Sequence, residues 1–238
     1  MDPASPLPPA SASLARSARK RLRRGSAVHF PGDGLFDRLA RACCEAECLA
    51  RKELYEAWET ARRVRRRFSG QRYVDLAAGH GLLAQIALLL HPELELAVAV
   101  EPKVPETADR LAQALQAHFP SLKGRFVRAR STVGDFPLRS DDVVVSVHAC
   151  GALTDHVLKR AVEASAPVAV LPCCHAYRKL DSGGLEGWMP ADLAIDATRA
   201  ARLRAAGYAV HTATIPGDIT PKNRLLFGWP ANPPHRGA

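Results

Sequence analysis

The stretch Tyr73-Val-Asp-Leu-Ala-Ala-Gly-His-Gly-Leu-Leu-Ala84 admits few folds. Arg72–Leu76 reads as a short buried strand. Gly79 and Gly81 make a tight turn, and Leu82–Leu90 reads as a helix. A strand, a glycine turn and a helix N-terminus together form a nucleotide pocket, because glycines let the backbone approach a ligand and free amides face it. A second apolar run, Leu94–Val100, ends at Glu101, 22 residues after Gly79. That is about the spacing at which an acid meets ribose hydroxyls.

From Arg72 onward the pattern alternates. Strands are expected near 72–76, 94–100, 124–130, 142–147 and 167–171, and helices near 81–90, 104–118, 153–164 and 190–206. Such alternation implies a parallel sheet covered on both faces. The end differs: Tyr208–Ile215 and Arg224–Trp229 read as two strands joined by a short Pro- and Gly-containing connection, which suits an antiparallel hairpin. Ahead of the first strand, helical periodicity runs from Leu35 to Phe68 as one long helix or two. The expected divisions are a disordered basic tail (1–30), a helical extension (31–70), the α/β domain (71–230) and a short tail (231–238).

Two cofactors compete for the glycine turn. Gly79-His-Gly81-Leu-Leu-Ala84 satisfies the dinucleotide pattern GxGxxG/A. Asp75 shifts the balance. A carboxylate at the strand end repels a pyrophosphate but can face the sulfonium or amino group of S-adenosylmethionine (SAM). Asp-Leu-Ala-Ala-Gly-His-Gly also resembles the first motif of class I SAM-dependent methyltransferases. That resemblance implies a Rossmann-like fold with a mostly parallel seven-stranded sheet and a C-terminal antiparallel hairpin. It also implies SAM bound by Asp75, Gly79, Gly81 and Glu101, with Ser131, after the third strand, as a candidate adenine contact. An NAD-dependent dehydrogenase is the lesser alternative.

Two clusters fall at strand ends, where ligands of such sheets sit. His148-Ala-Cys150-Gly-Ala-Leu-Thr-Asp155 follows the fourth strand, and Pro172-Cys173-Cys174-His175 the fifth. They resemble a branch of methyltransferase-domain proteins that includes eukaryotic tRNA 2′-O-methyltransferases and methyltransferase-like proteins of uncertain substrate. The resemblance implies an acceptor site shaped by His148, Cys150, Cys173, Cys174 and His175, with His148 or His175 as the proton acceptor. Cys173 or Cys174 as a covalent nucleophile is a further option. Zinc would suit the ligand types, but adjacent cysteines lack CxxC spacing, so no metal is expected. Lys222, Asn223 and Arg224, at the start of the last strand, are expected to reach the acceptor.

The net charge is +9. Arg16–Arg24 is a basic run, and Arg62–Arg67 holds five arginines in six residues. Both are expected to contact RNA phosphates if RNA is the substrate, with the tRNA ribose 2′-hydroxyl the acceptor the resemblance suggests. The alternatives are a small-molecule or protein acceptor, and a SAM- or RNA-binding module without turnover. No apolar run reaches the length of a membrane span, no secretory leader is evident, and closely spaced cysteines (43, 44, 48, 150, 173, 174) do not resemble a disulfide framework. A reducing cytoplasm is the expected location. Cys43, Cys44 and Cys48 are expected to pack as small core residues.

Overall fold

The helix after the glycine turn, Leu82–Leu90 (α3), is apolar on nearly every side: Leu-Leu-Ala-Gln-Ile-Ala-Leu-Leu-Leu. A sheet can cover only one side of such a helix, so a second layer must cover the rest. The N-terminal region supplies it. Leu35–Ala46 (α1) and Arg51–Arg67 (α2) are two helices, and α2 lies against α3. A left-handed residue, Glu47, ends α1, and α2 begins with a capping box in which the Glu53 carboxylate accepts from the Ala50 amide at 3.3 Å. In this computed structural model residues 15–175 and 179–231 are described.

The strands are Arg72–Leu76 (β1), Leu96–Val100 (β2), Phe126–Ala129 (β3), Asp142–Ser146 (β4), Val168–Val170 (β5), Tyr208–Thr214 (β6) and Arg224–Pro230 (β7). Their order is β3-β2-β1-β4-β5-β7-β6, with β1 to β5 parallel and β7 antiparallel to both neighbours. The expected seven-stranded, mostly parallel sheet with its closing hairpin is therefore present. The helices of the second half are Ala108–His118 (α4), Ala152–Glu163 (α5) and Ala191–Ala205 (α6).

Strand alternation sorts the core into two layers. Tyr73, Ala97, Val143 and Phe227 face the layer of α1 to α4, whereas Val74, Val98, Val144 and Leu226 face α5 and α6. β4 is buried on both faces, as its Val-Val-Val run requires. Asp75 alternates with Tyr73 onto the first face, which aims its carboxyl toward the α3 side.

The N-terminal expectation needs correction. Residues 15–30 are folded against the domain: Leu22 is fully buried and its amide donates to Leu49 O at 2.9 Å. Arg21 pairs with Ala50 as an antiparallel bridge, and a 3-10 turn spans Arg24–His29. Phe30 is buried with its ring 6.0 Å from that of Phe36. The expectation for the remainder of the tail, and for residues 232–238, lies outside the described residues. Cys43, Cys44 and Cys48 are buried. No described helix is long and apolar enough to cross a membrane.

Candidate functional site

β1 is flanked by β2 and β4, so the chain runs outward from β1 in both directions, and the loops at its C-terminal end separate to leave a crevice. A cavity of about 190 Å³ occupies that place. Asp75, Ala77, Ala78, Gly79 and His80 line it from β1 and its loop, and Val147 and His148 from the end of β4. Leu49, Glu53 and Ala57 close it from the helical extension.

The two glycines have different roles. Gly81 has φ +75°, and a Cβ there would come within 2.9 Å of both Ala99 Cβ and the Phe126 ring, so the turn can press onto β2 and β3 only without a side chain. Gly79 has φ +53°, and a Cβ there would meet nothing within 4 Å. It keeps the backbone bare on the cavity wall. Ala77 also carries positive φ (58°), a cost of about 1 kcal/mol accepted between the strand and the turn.

Asp75 is 2% exposed, and burial pushes its pKa to about 8, against the lowering effect of the Ala84 amide it accepts from. Glu101 adds a like charge in the same sense. Glu101, at the end of β2, takes the Gly79 amide on one oxygen at 3.1 Å and the Lys103 amide on the other at 3.3 Å. It thus holds the glycine loop while staying half-buried. Ser131 lies two residues beyond the β3 end, where the Glu101 amide donates to Ala129 O, and its hydroxyl donates to Thr132 O at 3.3 Å.

A buried carboxyl that lines a cavity suits a cationic ligand, whose charge would favour the carboxylate over the neutral acid. SAM supplies that cation, a nucleoside for Glu101, and a chain that needs the bare Gly79 backbone. The residues present fit it. Glu53, a second cavity carboxyl whose pKa burial raises, was not legible in the sequence. His80, whose Nε2 lies 2.8 Å from Thr107 Oγ1, is likewise a cavity residue visible only in three dimensions.

The profile of a family described as a methyltransferase domain matches residues 52–180, more than half of the chain. The chain belongs to this methyltransferase-domain family. Its cofactor is SAM. The match begins within α2, so the helical extension is partly family structure. No curated protein matches the chain. Among solved structures, an unconfirmed O-methyltransferase from Nostoc punctiforme is 14% identical with a TM-score of 0.52, over 86% of this chain and 66% of that one. The mitomycin 7-O-methyltransferase MmcR is 17% identical with a TM-score of 0.51, over 82% and 57%. An O-methyltransferase family protein from Burkholderia thailandensis is 19% identical with a TM-score of 0.49, over 89% and 64%. The chain thus spans less than two thirds of each of these structures, and what they share with it is the fold.

The acceptor-side residues divide. His148, just past β4, is solvent-exposed where it opens onto the cavity; desolvation by the surrounding protein, with Lys52 nearby, lowers its pKa to about 4. Cys150, Cys173 and Cys174 converge: Cys150 Sγ is 3.2 Å from Cys173 Sγ, which is 3.7 Å from Cys174 Sγ. Burial pushes the Cys173 thiol well up and the Cys150 thiol up, which disfavours the thiolate that covalent attack requires.

His175 does not join them. Its side chain is fully buried, with Nε2 2.8 Å from Asp196 Oδ1 on α6. Asp196 also takes Arg199 at 3.1 Å and Arg224 at 2.7 Å. Arg199, 1% exposed, binds Asp155 through two nitrogens and Gly151 O through one of them. Arg224 and Lys222 both reach Asp192, at 2.7 and 3.0 Å, and hold its carboxyl well below the usual carboxylate range. Asn223 donates to Ile215 O at 2.9 Å and closes the hairpin. His175, Lys222 and Arg224 are thus engaged by carboxylates of α6, and Asn223 by the hairpin backbone. Buried charges need partners, and α6 supplies them.

The two basic runs differ in their partners. Arg62 and Arg63 are paired with Glu59, Arg63 also donates to Thr214 O at 2.8 Å, and Arg67 stacks 5.5 Å over the Trp229 ring. They join α2 to the sheet's far edge. In Arg16–Arg24, Arg16 pairs with Asp218 at 2.5 Å, while Arg19, Lys20, Arg21, Arg23 and Arg24 have exposed side chains.

Proposed function

We propose that the chain transfers the SAM methyl group to RNA, the tRNA ribose 2′-hydroxyl being the acceptor that the motif resemblance implies. One observation carries this reading. The basic segment is docked at the cavity mouth, because Arg21 pairs with Ala50, the neighbour of cavity-lining Leu49. The Arg21 charge even helps lower the pKa of His80 inside the cavity. An exposed row of cations beside a cofactor pocket suits a polyanion. Trp188, 85% exposed in the segment between β5 and α6, offers a flat face on which a base can stack.

SAM, when bound, supplies an already activated methyl. The protein's remaining work is orientation and acceptance of a proton. Asp75 and Glu101 fix the cofactor's charge and ribose. His148 is neutral across the physiological range and, at the β4 end of the cavity, is the imidazole we assign to take the acceptor's proton as the new bond forms.

Labelled-methyl transfer into bulk tRNA tests the proposal. Binding should weaken steeply between about 50 and 200 mM salt. The triple reversal Arg21→Glu, Arg23→Glu, Arg24→Glu should cut RNA binding and transfer at least tenfold with SAM affinity unchanged. His148→Ala should lose turnover and keep SAM affinity. Label appearing in a metabolite fraction and not in RNA, or salt-insensitive transfer, rejects the RNA acceptor.

A further inference from the structure

The structure assigns a second site: Cys150, Cys173 and Cys174 form a three-thiolate seat for one thiophilic divalent cation, zinc being the fitting choice, with its fourth position open. This inference does not rest on the RNA reading, and it reverses the expectation from spacing that no metal binds.

The geometry is that of a metal seat. All three Sγ atoms lie within 4.8 Å of one another. Two sulfurs on a tetrahedral zinc, each about 2.3 Å from it, stand about 3.8 Å apart. The Cys173–Cys174 separation of 3.7 Å matches that, and the Cys150–Cys173 separation of 3.2 Å needs only a small opening. Both are far from the 2.0 Å of a disulfide. All six cysteines are free. Three soft donors without a carboxylate among them select zinc or a similar ion over magnesium or calcium.

Adjacent cysteines cannot share a ligand on a strand, because successive side chains point to opposite faces. Here the strand has ended at Val170, and Pro172 lies in irregular backbone, so Cys173 and Cys174 turn to the same side. Cys150 arrives from the other loop. Gly151 then takes φ 60° and ψ −129°, a conformation natural to glycine, and its amide donates to Cys174 O at 3.0 Å.

Both loops are also tied to α6. Arg199 holds Gly151 O beside Cys150, and Asp196, its ion-pair partner, holds His175 beside Cys174. Supports of this kind pre-set the separation of donor atoms, as the outer partners of metal ligands do. Cys150 and Cys174 are exposed, which leaves the fourth tetrahedral position to water or to a donor atom from outside, as in open zinc sites. Binding would exchange three thiol protons for one cation, so affinity should climb steeply with pH.

The test uses the full chain, purified reduced, with zinc measured by elemental analysis and titrated against a chromogenic chelator. One equivalent is expected. Cys150→Ser, Cys173→Ser and Cys174→Ser should each weaken zinc at least tenfold, while Cys44→Ala, in the buried helical layer, retains it. SAM affinity and melting temperature, measured on the same variants, identify any that fail to fold. Cobalt in place of zinc should give thiolate charge-transfer absorption and tetrahedral visible bands, and the bound ion should shield three thiols from alkylation. The inference is overturned if the reduced chain binds no zinc, if binding survives in folded cysteine variants, or if non-reducing peptide mapping finds a Cys150–Cys173 disulfide instead.

Discussion

The two sides of the sheet's C-terminal edge treat polar residues in opposite ways. Around β1 and β2, Asp75 lines a cavity, Glu101 holds the glycine loop that lines it, and burial raises the pKa of Asp75. Around β5 and β7, His175, Lys222 and Arg224 turn inward onto Asp192 and Asp196. The contrast shows that a polar residue at a strand end is a ligand-binding group only if the fold leaves its charge unanswered. A charge answered inside the protein is a strut.

Breaking the strut side tests whether the two sides are independent. Arg199→Met leaves Asp155 without its buried cation and should cost about 3 kcal/mol in denaturant unfolding. Folded protein at low temperature should still bind SAM within twofold of wild type. A parallel loss of SAM affinity would show that the two sides are coupled.

The glycines sharpen the cavity side. Gly81→Ala combines left-handed strain with a 2.9 Å clash against Ala99 and should destabilise by about 2–4 kcal/mol. Gly79→Ala should cost only about 1–2 kcal/mol yet weaken SAM at least tenfold, because its methyl enters open cavity space. Calorimetry and thermal unfolding of the pair separate packing from ligand approach.

The pH dependence of Asp75 tests the cavity side directly. Its folded pKa of about 8 exceeds the unfolded value of about 3.9, so the free protein should lose stability as pH rises between these values. Binding a cation favours the carboxylate and expels the proton. SAM affinity should therefore rise from pH 6 to about 8, by up to about tenfold per unit, and then level. Asp75→Asn should bind weakly with a flat profile and show none of the stability loss. A sloped profile in that variant would assign the titration to another group.

Much of the fold was legible along the chain. The expected strand at 72–76 coincides with β1, and the expected helix at 190–206 differs from α6 by one residue at each end. Apolar alternation and glycine turns are local, so neighbouring residues suffice to read them. The docking of residues 15–30 escaped because only two widely spaced apolar residues, Leu22 and Phe30, are buried in a segment rich in charge. The ion network escaped because its α6 members are distant along the chain, Asp196 lying 21 residues from His175 and Arg199 44 from Asp155.

By itself the sequence determined the parallel sheet, its closing hairpin and the cofactor turn, since each follows from backbone preferences within a few residues. Only the tertiary structure decided which polar side chains face the cavity, which are spent on internal charge pairs, and that three cysteines from two loops meet. Those outcomes depend on which distant residue arrives to neutralise or accompany a side chain, and spacing along the chain carries no record of that distance.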